Sequence, residues 1–418
     1  MAKSEKSYHL IYFFLHPFFT LIYYLKNFRK PHAKNVMWLF TIFYAATFAI
    51  GVESENSDIN RYVDEVEYLS KIGIDFQGAL QYFYSSGEID ISRTILAVLV
   101  SLFTSNGYHL IIVFGIIYGY FFSRNMWYIL DRLEGKIKFF TRLLLFCLFL
   151  TVPIWFLNGF RFWTATHMFI FGLLPFLLEG KKKSLIWCFI TPFMMHFGFL
   201  FALLPLSLYL LLGNKLKYYF IFFILSLFIS NINISQFNNI ITKYAPEIIT
   251  ERTESYRSED KVEEYRNKEG SGSNTVWYAR YYSKVYGWVT TAFLVALFLS
   301  YRKKLMFFDK GYLRLLSFIF LFFGFANLLS TIPSGGRFLN LAYLLSISAL
   351  VLIMQNYSPR KNLIKLSILS TPFLIFFIIV SLRLSWYSLS WMTIIGNPIT
   401  SIFTFGENTA LNDIIKGL

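Results

Sequence analysis

Apolar residues run through this chain in long blocks, without the strict alternation that marks strands. Blocks able to cross about 30 Å of hydrocarbon recur from one end to the other, which predicts an all-α, polytopic membrane-embedded helical bundle. An outer-membrane barrel would instead alternate polarity over segments of about ten residues. Spans are expected over 8–25, 36–50, 139–157, 160–178, 184–195, 197–212, 218–232, 284–300, 314–331, 337–355 and 366–381. Two further runs, 91–106 and 108–123, lie where an odd number of crossings is required, so one of them should dip in and return or lie along the interface. The total is about twelve crossings, roughly 11 to 14, in a single domain over 1–418. The first run, YHLIYFFLHPFFTLIYYL, lacks a small-residue cleavage site and is followed by KNFRK, so the first spans are expected to direct insertion.

Charge then orients the spans. Six connections, 26–34, 124–138, 181–183, 215–217, 302–314 and 360–365, hold 21 Lys and Arg residues, and the positive-inside rule puts them in the cytoplasm. Two longer hydrophilic stretches are expected outside, 51–90 with nine Asp or Glu against two basic residues, and 233–283 with GSGSN at 270–274. The tail 382–418 should be external or interfacial. The net charge of +15 could suggest a nucleic-acid ligand, but its placement between spans is explained by topology, and none is expected. Cys147 and Cys188 lie within apolar runs and read as small core residues. There is no P-loop, no GxGxxG and no CxxC pair, which argues against ATP hydrolysis.

On this orientation the polar residues unsuited to lipid gather on the outer side. Asp58, Arg61 and Tyr62 lie in ENSDINRYVDE, Asn158 and Arg161 in WFLNGFRFWTA, His196 in MMHFGF, Arg280 and Tyr281 in WYARYY, and Arg337 in IPSGGRFLN. Singly each has a plain reading: a terminal Arg snorkels to headgroups, a His packs, and an aromatic anchors the interface. The combination points further. Arg161 and Arg337 each follow a glycine-containing turn and begin a helix, at the depth of His196. Two guanidiniums at the mouth of a bundle can grip a phosphate or pyrophosphate bidentately, and glycine turns at helix starts add backbone N–H groups. His196 or Asp58 could accept a proton from an attacking hydroxyl. No metal ligand set is expected.

The ordered motifs SDINRY, NGFRFWTA, MMHFGFLFALLPL and IPSGGRFLNLAYLL, over about 1–355, resemble the EpsG-type branch of the Wzy-like polysaccharide polymerases. That pattern is roughly an Asp and Tyr after the second span, an Asn-x-x-Arg turn, a His followed by a small residue, and a Ser-x-Gly-Arg turn. Here Phe162, Trp163 and Thr164 follow the first Arg in place of Gln and small residues, and Phe197-Gly198 follows the His. The resemblance implies a metal-independent, cofactor-free membrane glycosyltransferase. It would join undecaprenyl-pyrophosphate-linked repeat units at the outer face of the bacterial inner membrane, in O-antigen, capsule or exopolysaccharide synthesis, with a chain-length regulator as protein partner. Arg161 and Arg337 would hold the donor pyrophosphate, His196 or Asp58 would orient or deprotonate the acceptor, and Arg61, Tyr62, Asn158, Arg280 and Tyr281 would line the saccharide cleft. A flippase or exporter of lipid-linked oligosaccharide, an O-antigen ligase, and a metal-dependent glycosyltransferase using Asp58 or Asp64 are the alternatives.

Overall fold

The computed structural model describes residues 5–51, 58–73, 76–86, 91–229, 276–301, 308–332 and 334–417, and among them every extended regular element is helical. In chain order the helices are α1 (Glu5–Leu15), α2 (Pro17–Lys26), α3 (Ala33–Ala46), α4 (Asp58–Lys71), α5 (Phe76–Ser86), α6 (Ser92–Ser101), α7 (Tyr108–Leu130), α8 (Phe139–Thr151), α9 (Phe160–Glu179), α10 (Ile186–Met194), α11 (Leu200–Leu212) and α12 (Leu216–Ser226). After them come α13 (Trp277–Tyr301), α14 (Lys310–Leu329), α15 (Arg337–Asn356), α16 (Lys361–Ser385) and three short tail helices, α17 (Trp391–Ile395), α18 (Thr400–Phe403) and α19 (Leu411–Lys416). The expected loop 233–283 lies outside the described residues except for its end, which forms the start of α13.

Among the described residues, six stretches are long and apolar enough to cross a bilayer: Tyr108–Leu130, Phe139–Glu179, Trp277–Tyr301, Lys310–Leu329, Arg337–Asn356 and Lys361–Ser385. The protein is therefore built as a multi-pass membrane protein. The second of these stretches folds back on itself. The Lys138 ammonium, at its start, donates to the carbonyls of Met354, Gln355 and Tyr357, while Glu179, at its end, pairs with Arg132, whose carbonyl accepts from Asn356. Both ends thus lie together, and α8 and α9 run in opposite directions.

That same end collects the basic connections. Arg29 donates to the Leu133 carbonyl, Arg314 to those of Leu177 and Leu178, Lys181 pairs with Glu179, and the Tyr209 hydroxyl reaches the Arg314 carbonyl. Charge asymmetry between connections is thus matched by the fold.

Several spans differ from the expectation. Residues 8–25 are not one helix. Pro17 has no N–H to continue α1 and biases His16 away from helical angles, so His16 instead caps α2, its Nδ1 accepting from the Phe19 N–H at 3.4 Å. A continuous helix would hold residues 9 and 26 about 25 Å apart. Instead His9 stacks on His32 at 4.3 Å and Phe13 meets Phe43 at 6.4 Å, so α1 folds back beside α2. Of the two ambiguous runs, α7 has 23 residues and spans about 35 Å, whereas α6 has ten. The stretch 51–90 contains helices as well as connections. In α4, Ile59, Tyr62, Val63, Val66 and Leu69 recur at helical spacing and are buried, with Arg61, Asp64 and Tyr68 turned outward.

The core centres on α15, which is buried almost all round among α8, α13 and α14. α7 lies close against α3 because Gly119 faces Thr41, and a Cβ there would come within 2.7 Å of the Thr41 Cβ. The tail packs back onto the upper end of α3. Tyr44 bonds Ser388 and Thr47 bonds Thr393, each at 2.7 Å, and Arg383 donates to Asn412 at 2.8 Å.

Between α8 and α9 the helix stops at Val152-Pro153, and its freed carbonyls need partners from within the protein. The Tyr118 hydroxyl reaches the carbonyls of Val152 (3.1 Å) and Pro153 (2.7 Å). His167 Nε2 lies 3.2 Å from the Val152 carbonyl, and Asn125 donates to the His167 carbonyl at 2.7 Å. This fully buried trio anchors the 3₁₀ turn Ile154–Gly159 that leads into Arg161.

Candidate active site

At the end opposite the basic connections, side chains from α4, α6, α9, α15 and the turn between α10 and α11 meet. Gly159 and Phe160 start α9, and the Phe160 ring stacks on Phe114 of α7 at 3.7 Å, which fixes the first turn of α9 and with it Arg161. Arg161 Nε–H donates to the Tyr62 hydroxyl at 3.2 Å. Tyr62 is held in turn by an edge-to-face contact with Phe114 (5.8 Å) and by the Arg93 guanidinium, 5.3 Å above its ring. Arg93 pairs with Glu65, their side chains only 12% and 7% exposed, and the Tyr82 hydroxyl donates to Glu65 at 2.9 Å. A carboxylate thus offsets Arg93, as a charge so far from water requires.

Arg337 opens α15 after a tight turn. Ser334 takes a left-handed conformation (φ 61°), and a Cβ on Gly335 would run into the Leu329 carbonyl, so only glycine fits there. The Arg337 guanidinium sits over the Phe162 ring at 5.7 Å, and among the described residues no carboxylate pairs with it. Phe162 also meets His196 edge-on at 5.2 Å and touches Phe199 and Phe338. Phe162 is therefore a pedestal between Arg337 and His196.

His196 lies in the turn between α10 and α11, outside both helices, and caps the 3₁₀ turn Phe197–Phe199. Its Nδ1 accepts from the Gly198 N–H at 3.1 Å. The turn is tied to α6 by the Ile91 N–H, which donates to the Phe193 carbonyl at 3.2 Å, and by Ser92 Oγ, 3.5 Å from Met195 Sδ. Burial pushes the imidazole pKa down and the Arg161 and Arg337 guanidiniums push it further, to about 3. Two guanidiniums on separate helices therefore act on one neutral imidazole.

The fold brings together Arg161, His196, Arg337, Tyr62 and Asn158, whose buried Oδ1 has no hydrogen-bond partner. Asp58 and Arg61 pair with each other on an exposed edge of α4, with Asp58 one turn before Tyr62 on the same face. Arg280 and Tyr281 are carried by α13. They lie in the first turns of α13, where Trp277 and Tyr282 stack on Phe376 and Phe377 of α16. Sequence reasoning missed Glu65, Tyr82 and Arg93. The signal for Glu65 was its spacing of seven from Asp58 and three from Tyr62, one helical face within a stretch taken for a loop.

Chemically, the cluster offers two cations, an imidazole and an orphan acceptor. Among the described residues no group of His, Cys, Asp and Glu is arranged to hold a metal ion. A separate polar cavity of about 530 Å³ opens at the basic end, lined by residues that include Asp131, Arg132, Glu134 and Asp309. A model of the EpsG family matches residues 36–392. No curated protein and no solved structure matches the chain.

Proposed function

From the premise that this chain belongs to the EpsG family, we propose that it is a polysaccharide polymerase, a membrane glycosyltransferase that joins repeat units carried on undecaprenyl pyrophosphate at the outer face of the bacterial inner membrane. The observation that carries this reading is the convergence of Arg161 and Arg337, from different helices, on His196. Arg161 and Arg337 grip the donor pyrophosphate and stabilise the charge that grows on it as it leaves. The bond between the anomeric carbon of the growing chain and the phosphate oxygen breaks, and its electron pair departs with the lipid pyrophosphate. The acceptor hydroxyl of the incoming lipid-linked unit forms the new glycosidic bond, and its proton passes to the Asp58 carboxylate. The donor is already activated, so the transfer needs no nucleotide.

Asn158 supplies a buried acceptor for a sugar hydroxyl. Tyr62 orients Arg161 beside the saccharide cleft. Arg61 faces the open side, where sugar would enter, and Arg280 and Tyr281 on α13 add to the saccharide cleft. A chain-length regulator would act on the product.

The test uses purified protein in nanodiscs with the lipid-linked repeat unit, no nucleotide, and chelator present. A ladder of polymer is expected, with Arg161→Ala and Arg337→Ala giving none while accumulating normally, and Lys at either position restoring little because it lacks the planar fork. A full ladder from either Ala variant removes that residue from the pyrophosphate site. Loss of activity on chelation, restored by divalent cation, refutes the metal-independent reaction.

A further inference from the structure

Resting on the pyrophosphate reading above, we infer that His196 acts through Nε2–H as a neutral hydrogen-bond donor to a phosphate oxygen of the lipid pyrophosphate, and not as the base that takes the acceptor's proton. A backbone N–H can only donate. The ring nitrogen facing the Gly198 N–H at 3.1 Å must therefore offer its lone pair, which puts the imidazole proton on Nε2. In that tautomer Nε2 has nothing with which to accept a proton.

The ring is not at liberty to exchange roles. Its backbone is extended (φ −159°, ψ 113°), its face lies against Phe197 and its edge against Phe162. Gly198 lets the turn come this close, since a Cβ there would stand 2.9 Å from Nδ1. Protonating Nδ1 would break the turn's hydrogen bond and set a third positive charge beside Arg161 and Arg337, the charged groups that bear on the ring from α9 and α15. An anion between those guanidiniums is instead complemented by a third donor. His196 thereby joins the pyrophosphate cradle, and proton removal falls to a carboxylate.

Binding of undecaprenyl pyrophosphate to the full-length protein in nanodiscs tests this, alongside ¹⁵N spectra of histidine-labelled protein, which has six His. The His196 signal, assigned by its loss in His196→Asn, is expected to show a protonated Nε2 and an unprotonated Nδ1. His196→Ala should weaken lipid binding about tenfold. His196→Asn should stay within about threefold of the native protein, because its Oδ1 can take the Gly198 N–H and its amide can donate. Turnover should fall in the same order. A proton on Nδ1 overturns the inference, as does native lipid affinity in His196→Ala with turnover lost in both variants, the pattern of a base. The spectrum of the native protein decides even if His196→Ala fails to fold. Native affinity in Arg161→Ala would refute the pyrophosphate reading itself, whereas weakened binding there with intact binding in His196→Ala refutes only the donor role.

Discussion

Tyr62→Phe isolates one hydrogen bond. The ring remains, so the contact with Phe114 at 5.8 Å and the Arg93 guanidinium at 5.3 Å persist, and only the hydroxyl that receives Arg161 Nε–H is lost. A hydrogen bond from a charged donor contributes about 1.5–3 kcal/mol. At 3.2 Å and with Arg161 half-buried, the lower end applies, about 1.5 kcal/mol, or roughly tenfold in kcat/KM if the bond is fully expressed in the transition state. The assay is the initial rate of ladder formation at low concentrations of lipid-linked repeat unit. A double-mutant cycle supplies the control. Lys has no Nε–H to offer the hydroxyl, so against the residual activity of Arg161→Lys, adding Tyr62→Phe should change the rate by less than about twofold. An unchanged rate in the single variant, or the same tenfold fall in both backgrounds, would refute the claim that Tyr62 works by orienting Arg161.

Two other predictions concern the scaffold. Tyr118→Phe weakens the support of the Val152 and Pro153 carbonyls, which keep partners in His167 and the Phe156 N–H, so the cost should be about 1–3 kcal/mol, read as a lower thermal midpoint in nanodiscs. An unchanged midpoint would show that the trio does not anchor the 3₁₀ turn. Glu65→Gln leaves Arg93 without its ion-pair partner in a largely buried place and should destabilise by about 3 kcal/mol, seen as poor accumulation in membranes, with Glu65→Gln/Arg93→Met recovering most of it. Equal accumulation of the single variant and the native protein would count against the pair as a support of α4 on α6.

The helical class and the gathering of Lys and Arg at one end were legible in the order of residues, because span length and charge bias belong to short stretches and need no knowledge of neighbours. The same holds for the turns before Arg161 and Arg337, where glycine is demanded locally. Other features were legible yet masked. The spacing of Ile59, Tyr62, Val66 and Leu69 is helical, but the acidic composition around it suggested a loop. Pro17 announced the break that ends α1, while the reversal of α1 beside α2 depends on where His9 and Phe13 find His32 and Phe43.

By itself, then, the sequence determined a multi-pass helical protein with cationic turns near one another in depth. Only the tertiary structure decided which of these turns meet. Arg337 and His196 both lie against Phe162, next in sequence to Arg161. The same packing set Glu65 on Arg93, Phe162 between Arg337 and His196, and the Gly198 N–H on Nδ1. The physical reason is that depth in a membrane follows from hydrophobic length along one helix, whereas lateral position follows from how all the helices pack together, a sum that no single stretch contains.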